Sequence, residues 1–157
     1  MLKQKIKDLA KQYQASFVEI RHHLHEHPEL SYQEFETSAF IQHQLTSYGI
    51  AFEIMATTGV LAVIQGNNPE SRIIALRADM DALAITEQNN VAYKSLNEGV
   101  MHACGHDVHT TCLLGAAKIL NETKDSWDGT VKLIFQLGEE KNPGGASLMI
   151  KEGVLNN

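Results

Sequence analysis

The sequence of 157 residues predicts an α/β fold, in which a mixed sheet is flanked by helices. Three observations support this class. Apolar residues recur at helical spacing in two N-terminal segments, three short strand-like runs follow them, and another helical segment precedes the last strand-like run. The length fits one domain with a hydrophobic core, and a charged fraction of 20% is typical of globular proteins.

A long helix is predicted over residues 3–27, because apolar residues recur there every three or four positions. Pro28 ends this helix, since proline cannot continue the hydrogen-bond ladder. The basic residues near its end are interpreted as cationic groups that suit the helix dipole and the last carbonyls. Metal binding by these side chains is the less favoured alternative. They are Arg21, His22, His23, His25 and His27.

A second helix is predicted from Ser31 to Gly49, because Ser31 and Glu34 have the spacing of a capping box and glycine commonly follows a helix end. Its apolar face is expected to consist of Phe35, Phe40, Ile41 and Leu45. Three strand-like runs follow, separated by turn residues. They are Ile50–Met55, Val60–Gln65 and Arg72–Arg77.

The second half of the chain opens with a segment, residues 79–105, in which periodicity is weak. Segments of this length without regular structure are usually functional when they occur inside a compact domain. A helix, a strand and a short helix are then predicted. They are Val108–Leu120, Thr130–Phe135 and Gly144–Glu152. Cys112 falls at helical spacing with apolar residues and is interpreted as a buried small hydrophobic side chain.

Composition argues against several classes of function. The net charge is -6 and no Lys/Arg-rich run is present, so neither a nucleic-acid surface nor an anionic-membrane surface is predicted. No apolar stretch is long enough to span a bilayer, and the N-terminus lacks the apolar core of a signal peptide. The two cysteines do not suggest a disulfide framework, so a cytoplasmic location is expected.

A cluster of metal-ligand residue types lies between His102 and His109. Cys104 and His106 flank a glycine that allows the backbone to bend, so both side chains can reach one ion. Thiolate and imidazole together favour Zn²⁺ or a similar transition metal over Mg²⁺ or Ca²⁺. The alternative is a helix N-terminus capped by Asp107, with the histidines as surface polar groups.

Paired carboxylates follow two of the predicted strands. Glu139 and Glu140 come after the strand at residues 130–135, and Asp79 and Asp81 come after the strand at residues 72–77. Ligand sites in open α/β sheets form at such strand ends. One glutamate could bind metal while the other transfers a proton, and an aspartate could orient a ligating histidine. Each pair alone could also be a solvated turn.

Together these motifs resemble the aminoacylase/carboxypeptidase metallopeptidases, metallopeptidase family twenty. The branch they most resemble includes hippurate hydrolases, indole-acetyl-amino-acid hydrolases and N-acetyldiaminopimelate deacetylases. The resemblance is carried by four motifs in order along essentially the whole chain. They are Arg21–Leu30, Leu76–Leu83, Met101–His109 and Phe135–Ala146.

The resemblance implies a fold and a set of roles. The chain is expected to be the N-terminal part of a zinc-peptidase-like catalytic domain that hydrolyses the amide bond of a small N-acyl amino acid. Two divalent ions, Zn²⁺, Mn²⁺, Co²⁺ or Ni²⁺, would be held by Cys104, His106 and Glu140, with Cys104 as the bridge. Glu139 resembles the general base that activates water. Asp79, together with Asp81, resembles the acid that orients the site, and His109 would lie in the outer layer.

The sequence departs from the family pattern in two ways. Leu137 and Ala84 stand where prolines are usual, and neither change removes a functional group. Family members are more than twice as long, so residues 1–157 are expected to form a partial catalytic domain without the later strands and the lid or dimerisation domain. The chain alone is therefore expected to bind metal weakly and not to turn over, whereas the full-length form could be a homodimer.

Two other functions remain open from the sequence. The chain could be a non-catalytic metal-binding or interaction module that keeps the fold. It could also be a cysteine hydrolase that uses Cys104 as nucleophile with a neighbouring histidine. Sensitivity to a chelator separates the cysteine hydrolase from a metalloenzyme.

Overall fold

Four strands form the sheet around which the chain is organised, and the computed structural model describes residues 1–156. The strands are β1 (Phe52–Met55), β2 (Gly59–Gln65), β3 (Ile73–Asp79) and β4 (Thr130–Gln136). Their order is β1-β2-β4-β3, with antiparallel pairing of β1 with β2 and of β2 with β4, and parallel pairing of β3 with β4. The predicted mixed sheet is confirmed.

Within residues 1–156, five α-helices accompany the sheet. They are α1 (Leu2–Gln12), α2 (Gln14–Glu26), α3 (Phe35–Ser47), α4 (His106–Glu122) and α5 (Gly145–Lys151). Helix α4 packs on β3 and on α2, α3 packs on β2, and α5 packs on β4. Within the described residues, no helix combines the length and the apolar character needed to cross a membrane. The α/β class with flanking helices is therefore confirmed.

Strand β4 is the centre of the core, because all seven of its residues are buried. Leu133 and Phe135 are fully inaccessible and pack with apolar residues of the neighbouring elements. A strand covered on both faces reads as a nearly continuous apolar run, which explains why this element was recognisable in the sequence. The central strand is thus a rigid base for the residues that follow it.

The parallel pair β3 and β4 determines where the functional residues meet. Helix α4 lies in the connection between the two strands, and Asp79 at the end of β3 is in register with Gln136 at the end of β4. Because parallel strands end at the same edge of a sheet, the residues after both strands come together there. A hydrogen bond from the Glu140 N–H to Asp81 Oδ2, at 2.9 Å, joins the two strand ends.

The first predicted helix is wrong in one respect, because it is divided at Tyr13 into α1 and α2. The Tyr13 hydroxyl donates to Glu122 at the end of α4, and the backbone at Tyr13 departs from helical angles. No residue of α1 is buried, although its apolar side chains have helical spacing. Periodicity therefore identified the helix but not its break or its exposure.

The predicted capping box at Ser31 is also wrong. Helix α3 begins at Phe35, and the Glu29 carboxylate accepts hydrogen bonds from the N–H groups of Glu36 and Thr37 at its first turn. A carboxylate at this position suits the positive end of the helix dipole. Ser31 instead donates to Asp81, so its hydroxyl serves the strand ends and not the helix.

Two predictions of burial fail for a shared reason. Cys112 and Phe35 are exposed, although both were assigned to apolar helix faces. Spacing alone cannot tell whether a helix face meets the core or solvent, since that depends on where neighbouring elements end. The remaining members of the predicted α3 face are buried or partly buried, and Ile41 and Leu45 are fully inaccessible.

Candidate metal centre

His106 is the first residue of α4 and points into the edge where β3 and β4 end. Gly105 precedes it with a φ of 84°, a conformation that glycine adopts without strain and that turns the chain into the helix. The His106 Nδ1 lies 2.8 Å from the carbonyl oxygen of Asp81 and 3.2 Å from its Oδ1. Because both partners accept, Nδ1 carries the proton and Nε2 is the atom left for another partner.

Three carboxylates surround that free nitrogen. His106 Nε2 lies 3.9 Å from Asp79 Oδ1, 4.0 Å from Glu139 Oε2 and 3.8 Å from Glu140 Oε1. Two donors that share an ion at about 2.0–2.1 Å lie at most about 4 Å apart. The spacing therefore fits donors arranged around an ion, and the mixture of imidazole and carboxylate suits a transition metal.

The donors form two groups that share His106. One group contains Asp79, His106 and His109, and the other contains His106, Glu139 and Glu140. Within each group the possible ligand atoms lie within 4.8 Å of one another. The free Nε2 of His106 can bind one ion only, so a second ion would need the other donors of the two groups.

The acids give this edge a strong attraction for positive charge. Burial lowers the pKa of His106, but hydrogen bonding to Asp81 and the charge of Asp79 outweigh it and raise the pKa to about 9. The same carboxylates would stabilise a cation bound near Nε2. The electrostatic environment fits a metal centre for the same reason.

Asp79 is held by two side chains. His109 Nδ1 lies 2.7 Å from Asp79 Oδ1, and Arg77 Nη2 lies 3.1 Å from Asp79 Oδ2. Burial raises the pKa of Asp79, but the hydrogen bond from His109 and the charges of His106 and Arg77 lower it further than burial raises it. Asp79 is therefore an ionised acid at neutral pH, and its Oδ1 faces both histidines.

Asp81 connects the elements of the site. Its Oδ2 accepts from the Ser31 hydroxyl at 2.6 Å and from the Glu140 N–H at 2.9 Å, while Oδ1 faces His106. Burial raises the pKa of Asp81, but these hydrogen bonds outweigh it and hold the pKa at about 2. The side chain is almost inaccessible, so it orients its neighbours and does not face solvent.

Cys104 lies beside Glu140 but outside both donor groups. Its thiol is exposed, and the nearby Glu140 carboxylate, with slight burial and the charge of Glu139, raises the pKa of the thiol. A raised pKa keeps the group as a thiol and makes it a poor nucleophile. The structure thus brings Cys104 to the edge of the site without showing it among the converging donors.

A buried ionic network that the sequence interpretation missed lies next to the metal centre. His25 Nδ1 is 2.7 Å from Asp107 Oδ2, and His25 Nε2 is 3.1 Å from Glu87 Oε1. Arg21 Nε also contacts Asp107, at 3.0 Å. Both ring nitrogens of His25 lie within hydrogen-bond distance of carboxylate oxygens. His25 is therefore a buried network member and not a cap at a helix end.

His102 occupies the space beside this network. It is buried, and within the described part of the chain neither of its ring nitrogens has a hydrogen-bond partner. Burial lowers the pKa of His102 to about 4, so the ring is neutral. It does not belong to either donor group, which separates it from His106 despite their closeness in sequence.

Glu87 lies in the segment between β3 and α4 and connects that segment to α2 through its contact with His25. Besides contacting His25, its carboxylate accepts from the Ser95 N–H at 2.7 Å and from Asn89 Nδ2 at 3.1 Å. Burial raises the pKa of Glu87, but these hydrogen bonds outweigh it and hold the pKa at about 2. An isolated acid in a segment without periodicity gives no sequence signal, which is why Glu87 was not identified in advance.

We expect Glu87→Gln to flatten the acid side of the stability curve. The ionised carboxyl stabilises the fold because its pKa of about 2 lies below its usual value of 4.5. That contribution is fully present above pH 4.5 and is lost as the pH falls through about 2. Urea unfolding, followed by Trp127 fluorescence between about pH 3 and about pH 7, should show a shallower decline for the variant. Equal declines in both proteins would contradict this role.

Comparisons with known proteins place the chain in a family. The sequence profile of Peptidase family M20/M25/M40 matches residues 75–157, which include every member of both donor groups. The chain belongs to this peptidase family. A crystal structure of the Bacillus subtilis YXEP protein, described as a dinuclear metal binding peptidase from the M20 family, has a TM-score of 0.86 and 43% identity. That similarity covers 93% of this chain and 41% of the YXEP chain.

Two curated relatives are similar to this chain over most of its length. The chain is 45% identical over 156 residues to the N-acyl-L-amino acid amidohydrolase of Geobacillus stearothermophilus, covering 99% of this chain and 42% of that protein. It is 51% identical over 137 residues to the N-acetyl-L-cysteine deacetylase of Bacillus subtilis, covering 87% of this chain and 32% of that protein. The chain thus spans less than half the length of these two relatives.

Proposed function

We propose that the polypeptide containing this chain hydrolyses the amide bond of N-acyl amino acids, with two divalent metal ions held partly by residues 79–140. The observation that carries this proposal is the convergence of Asp79, Glu139 and Glu140 on the free nitrogen of His106. The names of two relatives support the substrate class, since both act on an acylated amino acid.

The donors present suit Zn²⁺, Mn²⁺, Co²⁺ or Ni²⁺, which combine readily with imidazole, carboxylate and thiolate. Such ions lower the pKa of water and stabilise the negative charge that develops on the amide oxygen. His106 and Glu140 are proposed as ligands because their donor atoms face each other at 3.8 Å. Cys104 is proposed as the bridging ligand, since its thiol lies near enough to the Glu140 carboxylate to be influenced by its charge and would lose its proton on binding metal.

Glu139 is proposed as the general base. Its side chain is 41% exposed, whereas that of Glu140 is 22% exposed, so Glu139 is the more accessible of the pair to water and substrate. The Glu140 N–H donates a hydrogen bond to Asp81, which suits a fixed ligand. Glu139 can take a proton from water and deliver it to the leaving amine.

Asp79 and Asp81 are proposed to orient the site. Asp81 holds the His106 ring through Nδ1, which leaves Nε2 directed at the other donors. Asp79 presents one oxygen to His106 and is itself held by His109 and Arg77. Such partners of ligating histidines fix the ring and strengthen its binding.

The cysteine-hydrolase alternative is disfavoured by the raised pKa of Cys104, because three carboxylates nearby oppose formation of a thiolate. The alternative of a non-catalytic metal-binding module is disfavoured by Glu139, an accessible base next to a proposed ligand. Both alternatives predict outcomes that an activity assay separates.

The test is hydrolysis of hippurate and N-acetyl amino acids by the complete polypeptide encoded by the gene that contains residues 1–157. We expect amine release that stops after chelation with EDTA and returns when Mn²⁺, Zn²⁺ or Co²⁺ is added. Activity that survives chelation would favour the cysteine hydrolase. Metal binding without release of amine from any N-acyl amino acid would favour the module and overturn the proposal.

A further inference from the structure

The turn at residues 138–145 carries Glu139 and Glu140. It is hydrogen-bonded to the loop between α2 and α3. We propose that this loop, residues 31–34, positions the turn for catalysis, with Tyr32 and Glu34 as positioning residues that touch neither substrate nor ion. The inference rests on the proposed role of Glu139 as base. Neither Tyr32 nor Glu34 belongs to a donor group, so their contacts with the turn need another explanation.

Tyr32 closes the turn from both ends. Its hydroxyl donates to the carbonyl oxygen of Lys141 at 2.7 Å and accepts from the N–H of Gly144 at 2.9 Å. One oxygen atom thus joins residues on either side of Pro143. The Tyr32 ring also lies against Gly138, where an added Cβ would overlap the ring and where φ is 53°. Glycine at position 138 is therefore required both for the backbone conformation and for the approach of the ring.

Glu34 holds the start of the same turn. Its carboxylate is fully buried, and Oε1 accepts from the Gly138 N–H at 2.7 Å while Oε2 accepts from the Thr58 hydroxyl at 3.0 Å. Burying a carboxylate is costly unless it is hydrogen-bonded, so these two bonds are needed to keep it there. Gly138 directly precedes Glu139, and the Glu34 contact therefore fixes the backbone from which the proposed base projects.

Ser31 acts on the other side of the turn through Asp81. Its hydroxyl and the N–H of Glu140 both donate to Asp81 Oδ2. Three of the four residues at positions 31–34 thus contact either the turn or Asp81, which supports the turn. The hydrogen bonds from residues 31–34 to the turn and to Asp81 each join residues at least 50 positions apart, so none of them depends on local sequence.

The backbone of the loop supports the same interpretation. Tyr32 has a φ of 66°, in the left-handed region that bulky residues rarely adopt. Such a conformation is strained and persists where surrounding contacts determine it, which occurs frequently at functional sites. Here the strained residue places its hydroxyl between Lys141 and Gly144. The strained backbone of Tyr32 therefore accompanies the contacts that hold the turn in place.

The experiment compares Tyr32→Phe, which removes only the hydroxyl, with Tyr48→Phe as a matched control. Tyr48 donates to Gln44 within α3 and its C-cap, away from the turn. Kinetics with an N-acyl amino acid are measured on the complete polypeptide. We expect Tyr32→Phe to lower kcat about 10- to 100-fold with little change in KM, since small displacements of a reacting group can cost up to about 10²-fold. Tyr48→Phe should retain wild-type kcat.

Glu34 provides a second variant pair. Glu34→Gln keeps a carbonyl that can accept from Gly138, whereas Glu34→Ala removes both contacts. We expect Glu34→Gln to recover most of the kcat that Glu34→Ala loses. An unchanged kcat in Tyr32→Phe, or equal losses in the two Glu34 variants when both fold, would overturn the proposal.

Amide hydrogen exchange on residues 1–157 separates this inference from the proposed function, because it needs no activity. In Tyr32→Phe we expect faster exchange confined to residues 138–145, with β2 and β4 unchanged. If the wild type hydrolyses no amide but this local change is seen, the positioning contact stands and the proposed function fails. Unchanged exchange in the turn, or equal acceleration throughout the sheet, overturns the positioning role whatever the activity.

Discussion

Replacing Glu139 with glutamine is expected to lower kcat by about 10²–10⁴-fold while metal binding is retained, since a positioned general base contributes about that factor. The amide has nearly the shape of the carboxylate but cannot take a proton. Glu139 is the more exposed member of the pair near His106, so its loss should leave the buried contacts of Asp81 intact. Steady-state kinetics on the complete polypeptide and metal analysis of the same sample measure the two effects together.

Glu140→Gln is the matched comparison for this prediction. Because Glu140 is the proposed ligand, the variant should bind metal more weakly and regain part of its activity at high metal concentration. Glu139→Gln should not recover at any metal concentration. If the two variants exchange these behaviours, base and ligand have been assigned the wrong way round.

Removing the Asp107 carboxylate is expected to destabilise the fold by about 3–5 kcal/mol, the usual range when one partner of a buried ion pair is deleted. Asp107 is almost inaccessible and faces both His25 and Arg21. Asp107→Ala leaves the Arg21 guanidinium and the His25 ring without this partner and also removes the contact to the Val108 N–H at the start of α4. Urea unfolding at neutral pH, read by Trp127 fluorescence, gives the change in the free energy of unfolding.

Asp128→Ala is the control for Asp107→Ala. Asp128 accepts from Asn68 at an exposed position, so its loss should change stability by no more than about 0.5 kcal/mol. If Asp107→Ala is as stable as Asp128→Ala, the buried network does not hold α4 in place.

Much of the fold could be predicted from the sequence, because the strands and helices that bury the core have distinct periods. Strand β4 reads as an apolar run since both of its faces are covered. The break at Tyr13 could not be predicted, because it depends on where the end of α4 lies. The exposure of Cys112 could not be predicted either, because it depends on which face of α4 meets the core. The spacing of Ser31 and Glu34 suggested a helix cap, yet both side chains bond to residues far away in the sequence.

The candidate site could also be predicted only in part from the sequence. Asp79, Asp81, His106, Glu139 and Glu140 were found from local motifs, and the structure brings all five to one edge of the sheet. His25 and Glu87 were missed because their contacts cross 82 and 62 positions of sequence. Contacts of that range follow from the fold and leave no pattern in a single sequence.

The most direct test of the central claim is titration of the complete polypeptide with Co²⁺, followed by visible and near-ultraviolet absorption. We predict two bound ions per chain, with a thiolate-to-cobalt charge-transfer band that is lost in Cys104→Ser. His106→Ala should weaken binding by at least about 10-fold, because both donor groups lose their shared member. Equal Co²⁺ affinity in His106→Ala and the wild type, or a wild type that binds no Co²⁺, would contradict a metal centre built on His106.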